Sequence, residues 1–117
     1  PARPSKPPAV VAAVKDIART FYIEVGTFGH AGDGNLHPTI LCDRRNEEEY
    51  HRVEQAVDEI FDAALKLQGT LSGEHGIGMA TAKWMEKETN RATIEFSKNL
   101  RRALDPKYLF NAGKKYV

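Results

Sequence analysis

Apolar residues recur at helical spacing in "VVAAVKDIARTF" (10–21), where Val10, Val14, Ile17 and Phe21 share a face, and the spacing predicts a helix. Two runs rich in β-branched and aromatic residues, "YIEVGTF" (22–28) and "LHPTILC" (36–42), predict strands. Between them lies "GHAGDGNLH" (29–37), a Gly-permitted connection that makes the pair an antiparallel hairpin and brings His30 and His37 to its open end. The most regular stretch is 46–68. There Tyr50, Val53, Val57, Ile60, Phe61, Ala64 and Leu65 form one apolar face, Asn46 and Glu49 resemble a capping box, and Gly69 is placed to close the helix. "TLSGEHGIG" (70–78) reads as a short strand entering a second Gly-rich loop. A helix is expected around 79–88 and another over about 90–104, with Ala92, Phe96, Leu100 and Ala103 facing inward and Asp105-Pro106 as the stop. This order predicts an α+β fold, a small antiparallel sheet with helices on one face.

Composition changes the picture mainly by exclusion. At 117 residues the chain is one domain by length, able to bury roughly two thirds of its unfolded surface. With 41% hydrophobic and 28% charged residues and a net charge of +1, it has no basic surplus for nucleic acid. No apolar run is long enough to cross a bilayer and no signal peptide is visible, so the chain is expected not to be transmembrane. Cys42 is the only cysteine, which excludes an internal disulfide. It fits a reducing, cytoplasmic setting, at most peripheral to the inner face of the membrane. The Pro-rich start (1–9) reads as a linker or truncated end, and 10–117 as the folded part.

The candidate chemistry sits in the two Gly-rich loops. Imidazole is the commonest neutral metal ligand, and two histidines with one carboxylate leave positions open for water or substrate. His30 and His37 stand on one loop, and the adjacent Glu74 and His75 on the other. Both loops read G-x-x-G-x-G, so neither is a dinucleotide fingerprint or a P-loop. The spacing is equally compatible with two structural turns, and Asp33 and Asn35 read as turn formers that bond their own backbone. His51 reads as a solvated side chain, and Trp84 and Phe61 as core. A metal-dependent hydrolase and a non-catalytic interaction module both stay open at this level.

"FGHAGDGNLHP", "SGEHGIG" and "DPKYLFNAGK", in this order and spacing, resemble the C-terminal region of the FAD-linked oxidases of the vanillyl-alcohol oxidase superfamily, on its glycolate oxidase and D-lactate dehydrogenase side. The resemblance implies a ferredoxin-like α+β domain fragment, the C-terminal part of the substrate, or cap, domain of a flavin-dependent D-2-hydroxy-acid oxidoreductase. It implies that His30, His37 and Glu74 are ligands of a divalent metal, zinc or manganese. It also implies that His75 is the catalytic base and that Asn111 lies close to the flavin. FAD would be held mainly by a domain or subunit outside this sequence, so the chain alone is expected to be inactive and, with faces uncovered, to form a homo-oligomer. Two positions depart from the pattern. Ala112 stands where the closing motif usually has proline, and Thr39 stands where the hydroxyglutarate enzymes have asparagine, which favours glycolate or lactate.

Overall fold

The computed structural model describes residues 6–79 and 81–114. They form two compact units, Pro1–Glu74 and His75–Val117. The first contains helix α1 (Pro7–Thr20), strand β1 (Glu24–His30), strand β2 (Asn35–Leu41) and helix α2 (Glu47–Lys66). The second contains a 3₁₀ turn (Ala82–Trp84), a one-turn helix α3 (Met85–Glu88) and helix α4 (Arg91–Leu104). The chain is therefore α+β, as expected.

Helix α1 starts three residues before the expected boundary because Pro7 and Pro8 occupy its first turn, where a missing N–H costs nothing and the fixed φ suits a helix. Part of the expected linker is thus helical, and residues 1–5 lie outside the described residues. α1 ends in a tight reversal, with Tyr22 in the left-handed region (φ 53°) and the Ile23 N–H donating to the Ala18 carbonyl at 3.0 Å. This reversal delays β1 to Glu24.

α2 starts as predicted, the Asn46 side chain accepting from the Glu49 N–H at 3.2 Å. The reciprocal half of the capping box is absent, because the Glu49 carboxylate accepts instead from the Asp43 N–H at 3.4 Å. α2 ends at Lys66, two residues before the expected boundary. Gln68 (φ 62°) takes the left-handed position expected of a glycine, and the Gly69 N–H closes the motif onto the Ala64 carbonyl at 2.8 Å.

β1 and β2 pair antiparallel, from Glu24↔Leu41 to His30↔Asn35. The connection is shorter than expected, a 3₁₀ turn over Ala31–Asp33 followed by Gly34. Side chains alternate across a sheet, so Val25, Thr27, Leu36, Pro38 and Ile40 share one face. That face is the covered one. Val11, Val14 and Ala18 of α1 line a groove with Val25, Thr27 and Leu36, while Ile60, Phe61 and Ala64 of α2 line another with Val10, Leu36, Pro38 and Leu71. Val14, Val53, Ala56 and Leu71 are buried, and burying a valine or leucine side chain contributes roughly 1.5–3 kcal/mol. The opposite face carries Phe28, His30, Asn35, His37 and Thr39.

Two expectations are corrected. Residues 70–78 form bends and not a strand, because three glycines in nine residues leave few side chains to pack and only Leu71 is buried. In α4 the stripe expected to face inward is open, with Phe96 68% and Leu100 51% exposed and Ala92 and Ala103 also exposed. A period of 3.6 shows that a helix has an apolar side, but what packs on it decides whether that side is covered. The helix expected over 79–88 is present only as the 3₁₀ turn and α3, with Trp84 buried as foreseen.

Candidate functional site

Period-2 geometry builds most of the site. His30 is the last residue of β1 and pairs with Asn35, and His37, two residues along β2, pairs with Phe28. Both histidines therefore project from the face the helices leave open. His37 is the more confined, its side chain 23% exposed against 61% for His30. Its ring lies 5.5 Å from that of Phe28 and edge-on to that of His30 at 5.9 Å.

Glu74 reaches the same face from the bends after α2. Its Oε2 lies 3.4 Å from His30 Nδ1 and its Oε1 lies 3.4 Å from His37 Nε2, so the carboxylate stands between the two rings. One donor atom from each of the three residues falls within 4.8 Å of the others. Ligands at the ~2.0–2.1 Å of a tetrahedral zinc site stand about 3.3–3.4 Å apart, which both carboxylate–imidazole separations match. Two imidazoles and a carboxylate, partly exposed and, among the described residues, without a fourth ligand in the cluster, fit a divalent ion with positions left for small molecules.

The structure brings a fourth residue into this cluster that the sequence reading assigned to a turn. Asn35 is 8% exposed, and its Nδ2 donates to Glu74 Oε2 at 3.0 Å. Gly73 packs directly on that amide: a Cβ there would run into Asn35 Oδ1 and come within 3.0 Å of its Cγ. The signal available in the sequence was parity, since Asn35 stands two residues before His37 and so shares its face.

His75 and Asn111, the other two expected site residues, belong to the second unit. His75 follows Glu74 directly and is exposed. Asn111 sits in a closing loop folded around two side chains of that unit. The Asp105 carboxylate accepts from the Leu109 and Phe110 N–H groups, both at 2.9 Å, and the Arg101 guanidinium donates to the Phe110 and Asn111 carbonyls at 2.8 and 3.2 Å. These bonds hold the Asp105 carboxyl below the usual carboxylate range, Phe110 first and Leu109 next, with the Arg101 charge adding to them. His51, as expected, is exposed, its Nε2 lying 3.3 Å from Gln55 Nε2.

The first unit thus presents a carboxylate between two imidazoles on the open face of a hairpin, and the second, described by itself, carries an Asn-containing closing loop after α4. Residues 2–115 match the FAD linked oxidases, C-terminal domain, and the chain belongs to that family. Among its relatives it is 48% identical over 108 residues to the glycolate oxidase subunit GlcD of Bacillus subtilis, covering 92% of this chain and 23% of that protein. It is 40% identical over 86 residues to a probable mitochondrial D-lactate dehydrogenase of Danio rerio, covering 74% of this chain and 17% of that protein. A D-2-hydroxyglutarate dehydrogenase of Stutzerimonas stutzeri is 34% identical over 113 residues, 93% of this chain and 24% of the relative. The chain thus spans less than a quarter of the length of each of these relatives. Among the described residues no helix is long and apolar enough to cross a membrane.

Proposed function

We propose that this chain is the substrate- and metal-binding part of a flavin-dependent oxidoreductase of D-2-hydroxy acids, glycolate or D-lactate in preference to hydroxyglutarate. The observation that carries the reading is the convergence of His30, His37 and Glu74 within 4.8 Å on the uncovered face of the hairpin. Support for the substrate class comes from the names of the relatives and from Thr39, which shares the His37 face where the hydroxyglutarate enzymes have asparagine.

In this reading His30, His37 and Glu74 hold a zinc or manganese ion, and FAD is held mainly by a domain or subunit outside this sequence, with Asn111 near the flavin. When bound, the ion would supply Lewis acidity toward the hydroxyl and carboxylate of the acid, and the flavin would supply hydride-acceptor chemistry. The chain's own residues do the rest. His75 takes the hydroxyl proton on its imidazole, a positioned general base being worth about 10²–10⁴ in rate. Arg101 and Asp105 hold the loop that presents Asn111. Phe28, beside His37, limits the freedom of that ring and keeps one flank of the site apolar. A cytoplasmic location and self-association in solution belong to the same proposal, and a monodisperse monomer in light scattering removes the latter.

Calorimetric titration of the purified chain with Zn²⁺ and Mn²⁺ tests the reading. One ion is expected to bind per chain, and His30→Ala and His37→Ala are each expected to weaken it tenfold or more. Unchanged affinity in both variants removes the site. Chelator-sensitive hydrolysis of a model ester would turn the reading toward a hydrolase.

A further inference from the structure

We propose that Asn35 is a positioning residue whose side-chain amide fixes the Glu74 carboxylate in the orientation that serves both histidines. This rests on the reading of Glu74 as an ion ligand. The bond from Asn35 Nδ2 goes to Oε2, the same oxygen that faces His30, which leaves Oε1 turned toward His37. A glutamate on a glycine-flanked bend has several rotamers open to it, and holding one oxygen selects among them.

Three features make Asn35 an anchor and not a passing contact. It is buried, whereas the Glu74 side chain is 46% exposed, so the fixed partner orients the mobile one. It starts β2 and pairs with His30, so its backbone moves with the hairpin that carries both rings. Gly73, next to Glu74, packs against the amide oxygen side while the NH₂ faces the carboxylate. The reverse orientation would set two oxygens against each other. A neutral amide suits the task because it donates without adding a charge to compete for the ion. Partners that orient metal ligands typically contribute 10- to 100-fold to metal affinity.

The test is a double-mutant cycle on Zn²⁺ affinity, with Asn35→Ala, Glu74→Ala and the pair. Asn35→Ala is expected to weaken binding 10- to 100-fold in the native background and less than twofold in the Glu74→Ala background, where only the two histidines remain. Equal losses in both backgrounds, or no loss in the first, would overturn the proposal, since a residue that merely supports the hairpin costs the same with or without Glu74. Gly73→Ala, which displaces the amide and alters no ligand, is expected to reproduce the loss. A second measurement covers variants that fail to fold: the Asn35 side-chain ¹⁵N–¹H₂ resonances of the native chain against Glu74→Ala. A downfield, exchange-protected proton that disappears in the variant supports the bond, and unaltered resonances overturn it. If the native chain binds no ion, or the histidine variants bind it normally, the metal reading fails separately and these resonances alone decide whether Asn35 orients Glu74.

Discussion

His30 and Asn35 face each other across the last rung of the β1–β2 hairpin, and both side chains stand on the sheet face that the helices leave open. Phe28 and His37 stand on the same side two residues along, so one short ribbon supplies both imidazoles and the amide that holds the carboxylate between them. Glu74 alone arrives from elsewhere in the sequence.

The rung between those two pairs tolerates no side chain on β1. Gly29 has φ 144°, and a Cβ there would meet the Asn35 carbonyl oxygen and lie 3.0 Å from Leu36 Cα. Backbone strain of this kind costs about 1–3 kcal/mol before any clash. Gly29→Ala is expected to lower stability in urea by at least that amount and to weaken ion binding with it. A variant of native stability would show that the hairpin absorbs the change.

The end of α1 predicts an effect of opposite sign. Tyr22 holds a left-handed conformation that costs a non-glycine residue about 1–2 kcal/mol, and its ring is exposed, so little packing is lost with it. Tyr22→Gly removes that strain and adds about 0.5–1 kcal/mol of unfolded-state entropy. A net gain of roughly 0.5–1 kcal/mol is expected, read as a higher urea midpoint at unchanged slope.

In the second unit the pH dependence follows from Asp105. Its carboxyl is held below the ordinary value of about 3.9 by the Phe110 and Leu109 N–H groups, so its ionised form is the one the fold favours. The stabilisation is therefore complete above pH of about 4 and is lost as pH falls through the lowered folded value. Asp105→Asn is expected to melt below the native chain at pH 7, and the gap to narrow as pH falls below the ordinary carboxylate range. A gap independent of pH would assign the effect to shape and not to charge.

His75→Ala separates base from ligand. Glu74 already stands between both imidazoles, each of its oxygens 3.4 Å from one ring, so the ligand set is expected to hold the ion without His75. In a full-length flavoprotein the variant should keep near-normal metal content while flavin reduction by the D-2-hydroxy acid slows by about 10²–10⁴. Loss of the metal as well would make His75 a ligand.

Local rules made part of this legible. Apolar spacing gave α2 to within two residues and both strands to within two, and Gly-rich composition placed the two histidines at the hairpin end. The left-handed positions at Tyr22 and Gln68 were not legible, because the surrounding hydrogen bonds, and not intrinsic preference, put those residues there. Asn35 was read as a turn former because its partner lies 39 residues away, and nothing local announces that Gly73 and Glu74 return to it. The open stripe of α4 was misread for a related reason: Phe96 and Leu100 record an affinity for apolar cover without recording where that cover is.

The short turn at Ala31–Asp33 has a consequence for which sequence changes the site survives. Side chains alternate strictly along β2, so the site depends on whether a residue number is odd or even relative to the rung, and much less on which apolar residue lies between. Substitutions at Ala31 or Leu36 leave that count alone. Removing or adding a single residue between Asn35 and His37 changes it, turning the His37 ring through the sheet to the side packed by α1 and α2. Length, more than identity, is what this stretch must conserve, and a one-residue frameshift of the strand is an error of parity that no rotamer can correct.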